Sequence, residues 1–137
     1  MELETMEPNP VWTEEAYADT VDVLAVLRHE VTYKVWGGDW CIDCRSQLPD
    51  FAAALDAAEV PESRIEHYPV EKEEDGSKTG PKVEGYDIER IPTVVVERDA
   101  RSASDASGEE IARFVEEEPV PIAVYLGRRL EDLAASV

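Results

Sequence analysis

An α/β domain is what the sequence predicts: segments with helical spacing of apolar residues alternate with β-branched runs, and four such runs recur along the chain. A length of 137 residues matches one domain with one hydrophobic core. The third observation is a pair of cysteines separated by two residues, at the point where a strand gives way to a helix.

Thr13 to Arg28 has the marks of a helix, with Thr13 as the cap, Glu14 and Glu15 at the positive end of the dipole, and Tyr17, Val21, Leu24 and Leu27 at helical spacing. Thr32 to Trp36 is β-branched and aromatic and stops at Gly37 and Gly38, which predicts a buried strand. A second helix follows Cys41 through Ala58, with Leu48, Phe51, Leu55 and Ala58 on one face and Pro49 expected to kink it. Arg64 to Val70 is the second strand, with Pro69 leaving the ladder at its end. Glu71 to Gly80 is charged and is expected to be a surface loop, and Pro81 to Tyr86 a short helix, since proline is tolerated in a first turn. Thr93 to Glu97 is the strongest strand. Arg98 to Gly108 connects it to an antiparallel edge strand over Glu110 to Val115. Pro119 and Pro121 then start a final helix whose Ile122, Tyr125, Leu126, Leu130 and Leu133 form an inward stripe.

Charge excludes several functions. The 32 Asp and Glu against 13 Lys and Arg give a net charge of -19, which repels phosphate backbones and anionic lipid, so neither nucleic acid nor a membrane surface is an expected partner. Disorder is a common result of such charge, but 43% apolar residues and three Trp, five Tyr and two Phe supply a core. Residues 1–12 are expected to be an N-terminal tail without a basic start or an apolar stretch. The longest aliphatic run, Val23 to Leu27, is far below a spanning length, so a cytoplasmic location is expected. Four Lys against nine Arg, with acids spread throughout, also suits a halophilic protein that is soluble in concentrated salt, where self-repulsion is screened.

Chemistry concentrates at Cys41-Ile42-Asp43-Cys44. Backbone N–H groups and the positive end of a helix favour an anion at Cys41, making a thiolate available as nucleophile. Two intervening residues leave the sulfurs close enough to bond reversibly, so Cys44 supplies a resolving thiol. A zinc site with His29 and His67 is the competing reading. Structural zinc sites show two close ligand pairs, however, and these histidines are isolated, so no metal is expected. His29 is read as a helix-end cation, His67 as a strand residue, and Trp12 and Trp36 as core packing. No Ser, His and Asp set suggests a hydrolase, and no glycine-rich loop a nucleotide site.

Trp40 directly before Cys41, the CxxC, Pro49 eight residues after the first cysteine, and Ile91-Pro92-Thr93 leading into a strand together resemble the thioredoxin superfamily. The resemblance runs from Thr32 to the last helix. It implies a thioredoxin fold, a central mixed four-stranded sheet flanked by helices, over residues 13–137 as a single thioredoxin-like domain. Cys41 would be the exposed nucleophile and Cys44 the buried resolver. A cis Ile91–Pro92 peptide would face the disulfide, its Ile91 carbonyl and N–H left to pair with a partner's backbone. The implied activity is thiol-disulfide oxidoreduction without a bound cofactor: disulfide-bearing client proteins are reduced, and a reductase or small thiol returns the electrons. Client contacts would fall on Ile42, Arg90, Ile91 and Pro92, and Trp40 would cover the cysteines or touch the client.

Several residues depart from the family's pattern. Ile42-Asp43 replaces the usual Gly-Pro and is similar to a thioredoxin-related subgroup with a Trp-Cys-Pro-Asp-Cys site. Val35 stands where thioredoxins carry a buried Asp as proton acceptor, which makes Asp43 the nearest carboxylate in sequence to take that role. Arg90 and Glu116 charge a docking surface that is otherwise lined by small residues, and no first strand precedes Thr13. Two alternatives to a general reductase remain: a thioredoxin-like client-binding module with incidental thiols, and a redox sensor.

Overall fold

The computed structural model describes residues 6–38, 41–72, 78–80, 83, 85–86, 88, 91–98, 109–115 and 121–136. Four strands, β1 (Val31–Gly37), β2 (Ile65–Pro69), β5 (Thr93–Arg98) and β6 (Glu109–Val115), form one sheet in the order β2-β1-β5-β6. β1 and β2 run parallel, while β5 is antiparallel to both β1 and β6. The helices are α1 (Ala18–Val26), α2 (Ile42–Ala57) and α3 (Ile122–Ser136). This is the mixed four-stranded sheet flanked by helices of a thioredoxin-like fold.

The two faces of the sheet differ. Side chains alternate along a strand, so Tyr33, Val35, Val94, Val96, Ala112 and Phe114 share one face, all of them buried. Tyr33 meets Phe51 of α2 edge-on and Phe114 meets Tyr125 of α3 likewise. α1 packs on both of those helices, so the main core lies between this face and all three.

The opposite face carries Trp36, fully buried, between the rings of Tyr68 and Tyr86 at 4.8 and 4.9 Å. Beside it is a charged cluster. Lys34 is 7% exposed and Glu97 8%. The Lys34 ammonium donates to Glu66 at 3.0 Å and Tyr68 at 3.4 Å and lies 3.7 Å from Glu97. Tyr68 donates to Glu66, and Tyr86 donates to Glu97 at 2.5 Å. Burial opposes the Lys34 charge, but Glu66 and Tyr68 outweigh it and hold the amine protonated beyond the ordinary lysine range. Burial and the Glu97 hydrogen bond push the Tyr86 phenol up to about 12.

Four expectations need correction. The segment Glu71 to Gly80 holds a small antiparallel pair, β3 (Glu71–Lys72) with β4 (Lys78–Thr79), rather than only a loop. Gly80 brings this pair back so near Pro69 that a Cβ there would lie 2.8 Å from the Pro69 carbonyl oxygen. Of the helix expected over Pro81 to Tyr86, the described residues Val83, Gly85 and Tyr86 lie in turns, because Tyr86 reaches instead for Trp36 and Glu97. The first helix is broken: a 3-10 turn over Glu14–Tyr17 precedes α1, Tyr17 leaves helical geometry at φ -129°, ψ 30°, and the Thr13 side chain makes no cap. Finally, Pro69 stays in the ladder opposite Gly37, and Val70 donates its N–H to the Gly37 carbonyl at 2.8 Å, so the end of β2 does not leave the sheet at the proline. Pro49, expected to kink the second helix, lies inside α2. The N-terminal segment crosses α2 at that proline: Asn9 donates its backbone N–H to the Pro49 carbonyl at 3.1 Å and its side-chain amide to Asp50 at 2.8 Å. Met6, ahead of it, is buried in the core.

Candidate active site

Chain topology brings the two cysteines to the start of β5. Because β1 and β5 are antiparallel, with Trp36 opposite Thr93, the end of β1 lies beside the residues that lead into β5. The chain leaves β1 at Gly37, and Cys41 takes the cap position of α2 in extended geometry, with φ -89° and ψ 124°. Its N–H donates to the Gly38 carbonyl at 3.0 Å, and its carbonyl accepts the Arg45 N–H at 3.0 Å, the first bond of the helix. Cys44 follows within the first turn and points into the core.

Both thiols are free, and their access differs: Cys41 retains 9% of its surface and Cys44 none. The Cys44 sulfur accepts the Gly38 N–H at 3.4 Å. The Cys41 thiol faces the Ile91 carbonyl oxygen at 3.9 Å, a weak S–H donor contact. The Ile91–Pro92 peptide is cis and both residues are buried. The Cys41 thiol thus stands beside the Ile91–Pro92 peptide and is more enclosed than the exposed nucleophile that the resemblance implies.

Of the other residues named from sequence, Ile42 projects into solvent at 79% exposure. Asp43 is in the first turn of α2. Trp40, Arg90 and Glu116 lie outside the described residues. Val35, where the resemblance to thioredoxins expects a buried acid in its place, is fully buried on the helix-bearing face, between His67 of β2 and Val94 of β5. His67 is half-buried on β2 and His29 is exposed in the turn after α1. Sequence reasoning missed the Gly38 N–H at the Cys44 sulfur, a backbone group that no residue type announces.

Comparison with family models finds no match, and comparison with curated protein sequences finds none either. Among solved structures, one described as "DsbH Oxidoreductase" is similar to this chain with a TM-score of 0.45 and 17% identity, covering 100% of this chain and 92% of that one. No helix among the described residues is long and apolar enough to cross a membrane.

Proposed function

We propose that the protein is a cytoplasmic thiol-disulfide oxidoreductase that reduces client disulfides through Cys41 and Cys44. The observation that carries this reading is the pair of free thiols at the start of α2, one with access to solvent and one sealed beneath it. The Cys41 thiolate attacks one sulfur of a client disulfide, forming a mixed disulfide and expelling the client's other sulfur as a thiolate. Cys44 then loses its proton and attacks the Cys41 sulfur, and the second client thiolate leaves. Two electrons have passed to the client, and the protein holds a Cys41–Cys44 disulfide that a reductase or small thiol must reduce.

Client binding is assigned to Ile42, whose side chain is exposed one residue after Cys41, and, on the resemblance alone, to Trp40, Arg90, Ile91 and Pro92. Resolution needs an acceptor for the Cys44 proton, and with apolar Val35 where thioredoxins carry an acid, Asp43, the nearest carboxylate in sequence, takes that role. Disulfide reduction of insulin with dithiothreitol, run in molar potassium chloride, tests the whole reading. Turnover is expected from the native chain and none from Cys41→Ser, while Cys44→Ser should accumulate covalent client complexes. Asp43→Asn should slow release from a preformed mixed disulfide. A chain that binds clients without turnover is instead a binding module, and one oxidised only stoichiometrically is a sensor.

A further inference from the structure

Resolution asks the most of Cys44. It must ionise although it keeps no exposed surface, and it belongs to the same apolar core as Val35, Leu48 and Val94. Burial disfavours a thiolate unless a hydrogen-bond donor faces it. One donor is in place, since the Gly38 N–H meets the Cys44 sulfur at 3.4 Å.

That N–H is held from both sides. It belongs to the peptide unit joining Gly37 to Gly38, whose carbonyl accepts the Val70 N–H at 2.8 Å where Gly37 pairs with Pro69 of β2. The next carbonyl along, that of Gly38, accepts the Cys41 N–H at 3.0 Å and ties the donor to the start of α2. A hydrogen bond at one end of a peptide unit polarises it and strengthens the N–H at the other. Gly37 and Gly38 are both buried, so the donor is already fixed and shielded when charge arrives on the sulfur. We infer that the Gly37–Gly38 peptide is a preorganised donor for the Cys44 thiolate, stabilising this sulfur as it attacks Cys41. The inference rests on the reading of Cys44 as the resolving thiol. Its task differs from that of Asp43, which takes the proton, whereas the peptide holds the charge left behind.

Replacing Gly38 by glycolate, installed by ligating two segments of the full chain, exchanges this N–H for an ester oxygen and keeps the backbone path. In a Cys41→Ser background, the Cys44 titration followed by its β-carbon NMR shift should move up by about one pH unit. That shift leaves about tenfold less thiolate near neutral pH, and the greater basicity of the thiolate returns about threefold, so resolution should slow about threefold. Dithiobis(nitrobenzoate) reads that step in the chain with both cysteines: Cys41 attacks it and expels one thionitrobenzoate, then Cys44 attacks the Cys41 sulfur and expels the second. The first phase should be unchanged and the second slowed, with the gap closing as pH rises past the Cys44 midpoint. An ester also weakens the Gly37 carbonyl as an acceptor, so the control replaces the Val70 N–H in the same way; it keeps the Gly38 donor and should move the midpoint much less. With the backbone intact, the Gly38 amide proton should follow the Cys44 titration and shift further downfield than its neighbours. An unmoved midpoint in the glycolate chain, equal shifts from both esters, a slowing that persists at every pH, or a Gly38 amide that ignores the titration would each overturn the inference. Absence of the second phase from the native chain would instead remove the dithiol reading itself, and the role of Gly38 with it.

Discussion

Lys34 is the most exacting residue in the molecule, because a primary amine 7% exposed is stable only while its carboxylates stay in place. Removing one member of such a buried group leaves an uncompensated charge, so Lys34→Ala should cost about 3–5 kcal/mol of unfolding free energy in urea titrations. Glu97→Gln in that background should recover part of the loss, since the amide oxygen still accepts from Tyr86 while the orphaned charge is gone. Tyr86 adds a pH signature. Its folded-state pKa rises from 10.0 to about 12, so between those values the folded protein keeps a proton that the unfolded chain has lost. Stability is full below about pH 10 and falls as pH climbs toward about 12; the raised Lys34, Tyr33 and Tyr68 groups act with the same sign. Tyr86→Phe should flatten that decline in unfolding curves taken from pH 9 to pH 12, and an unchanged slope would contradict the assignment. At this scale the place of Cys41 and Cys44 where a strand gives way to a helix was legible from the motif, and the cis peptide at Pro92 from the resemblance. Lys34 was not. Alternation within TYKVW marks it as facing away from Tyr33 and Val35, and only the folded chain shows that Tyr86 covers that other face.

Elements were legible where apolar residues repeat often enough to set a period. α2 and α3 bury Leu48, Phe51 and Leu55, and Ile122, Leu126 and Leu130, at the helical spacing that predicts them. β3 and β4 contribute two residues each, too few for any alternation, and were hidden within a charged stretch. Within the expected helix over Pro81 to Tyr86 the described residues lie in turns for a different reason: a proline permits a first turn but supplies no apolar stripe to bury. The end of α2 carries an energetic detail that the sequence conceals. Glu59 adopts φ 60° so that its N–H and that of Val60 can turn back to the Asp56 and Leu55 carbonyls at 3.0 Å. This left-handed position is where glycine normally ends a helix, and a Cβ there costs on the order of 1–2 kcal/mol. Glu59→Gly should therefore raise the urea midpoint by an amount equivalent to about 1 kcal/mol. Glu59→Gln, which removes the charge but keeps the Cβ, should recover much less; equal gains from both would assign the effect to charge.

For the whole molecule, a net charge of -19 sets acids against one another over the entire surface. In buffer of about 0.1 M ionic strength the Debye length is about 10 Å, long enough for acids on neighbouring helices to act on one another, and at 1 M it falls to about 3 Å. Screening should raise the melting temperature steadily from dilute buffer to molar potassium chloride, as a halophilic protein requires; a flat or falling curve would remove that reading. Salt also strengthens apolar burial, so the trend alone does not isolate repulsion. Asp22, Asp56, Glu131 and Asp132 are exposed, on the outer sides of α1, α2 and α3. Replacing these four by Asn or Gln lowers the net charge from -19 to -15 without touching the core or the thiols. If repulsion governs, this variant melts higher than the native chain in dilute buffer, gains less from added salt, and converges with it in molar potassium chloride. If salt acts through apolar burial, the two curves run parallel, because both chains bury the same core.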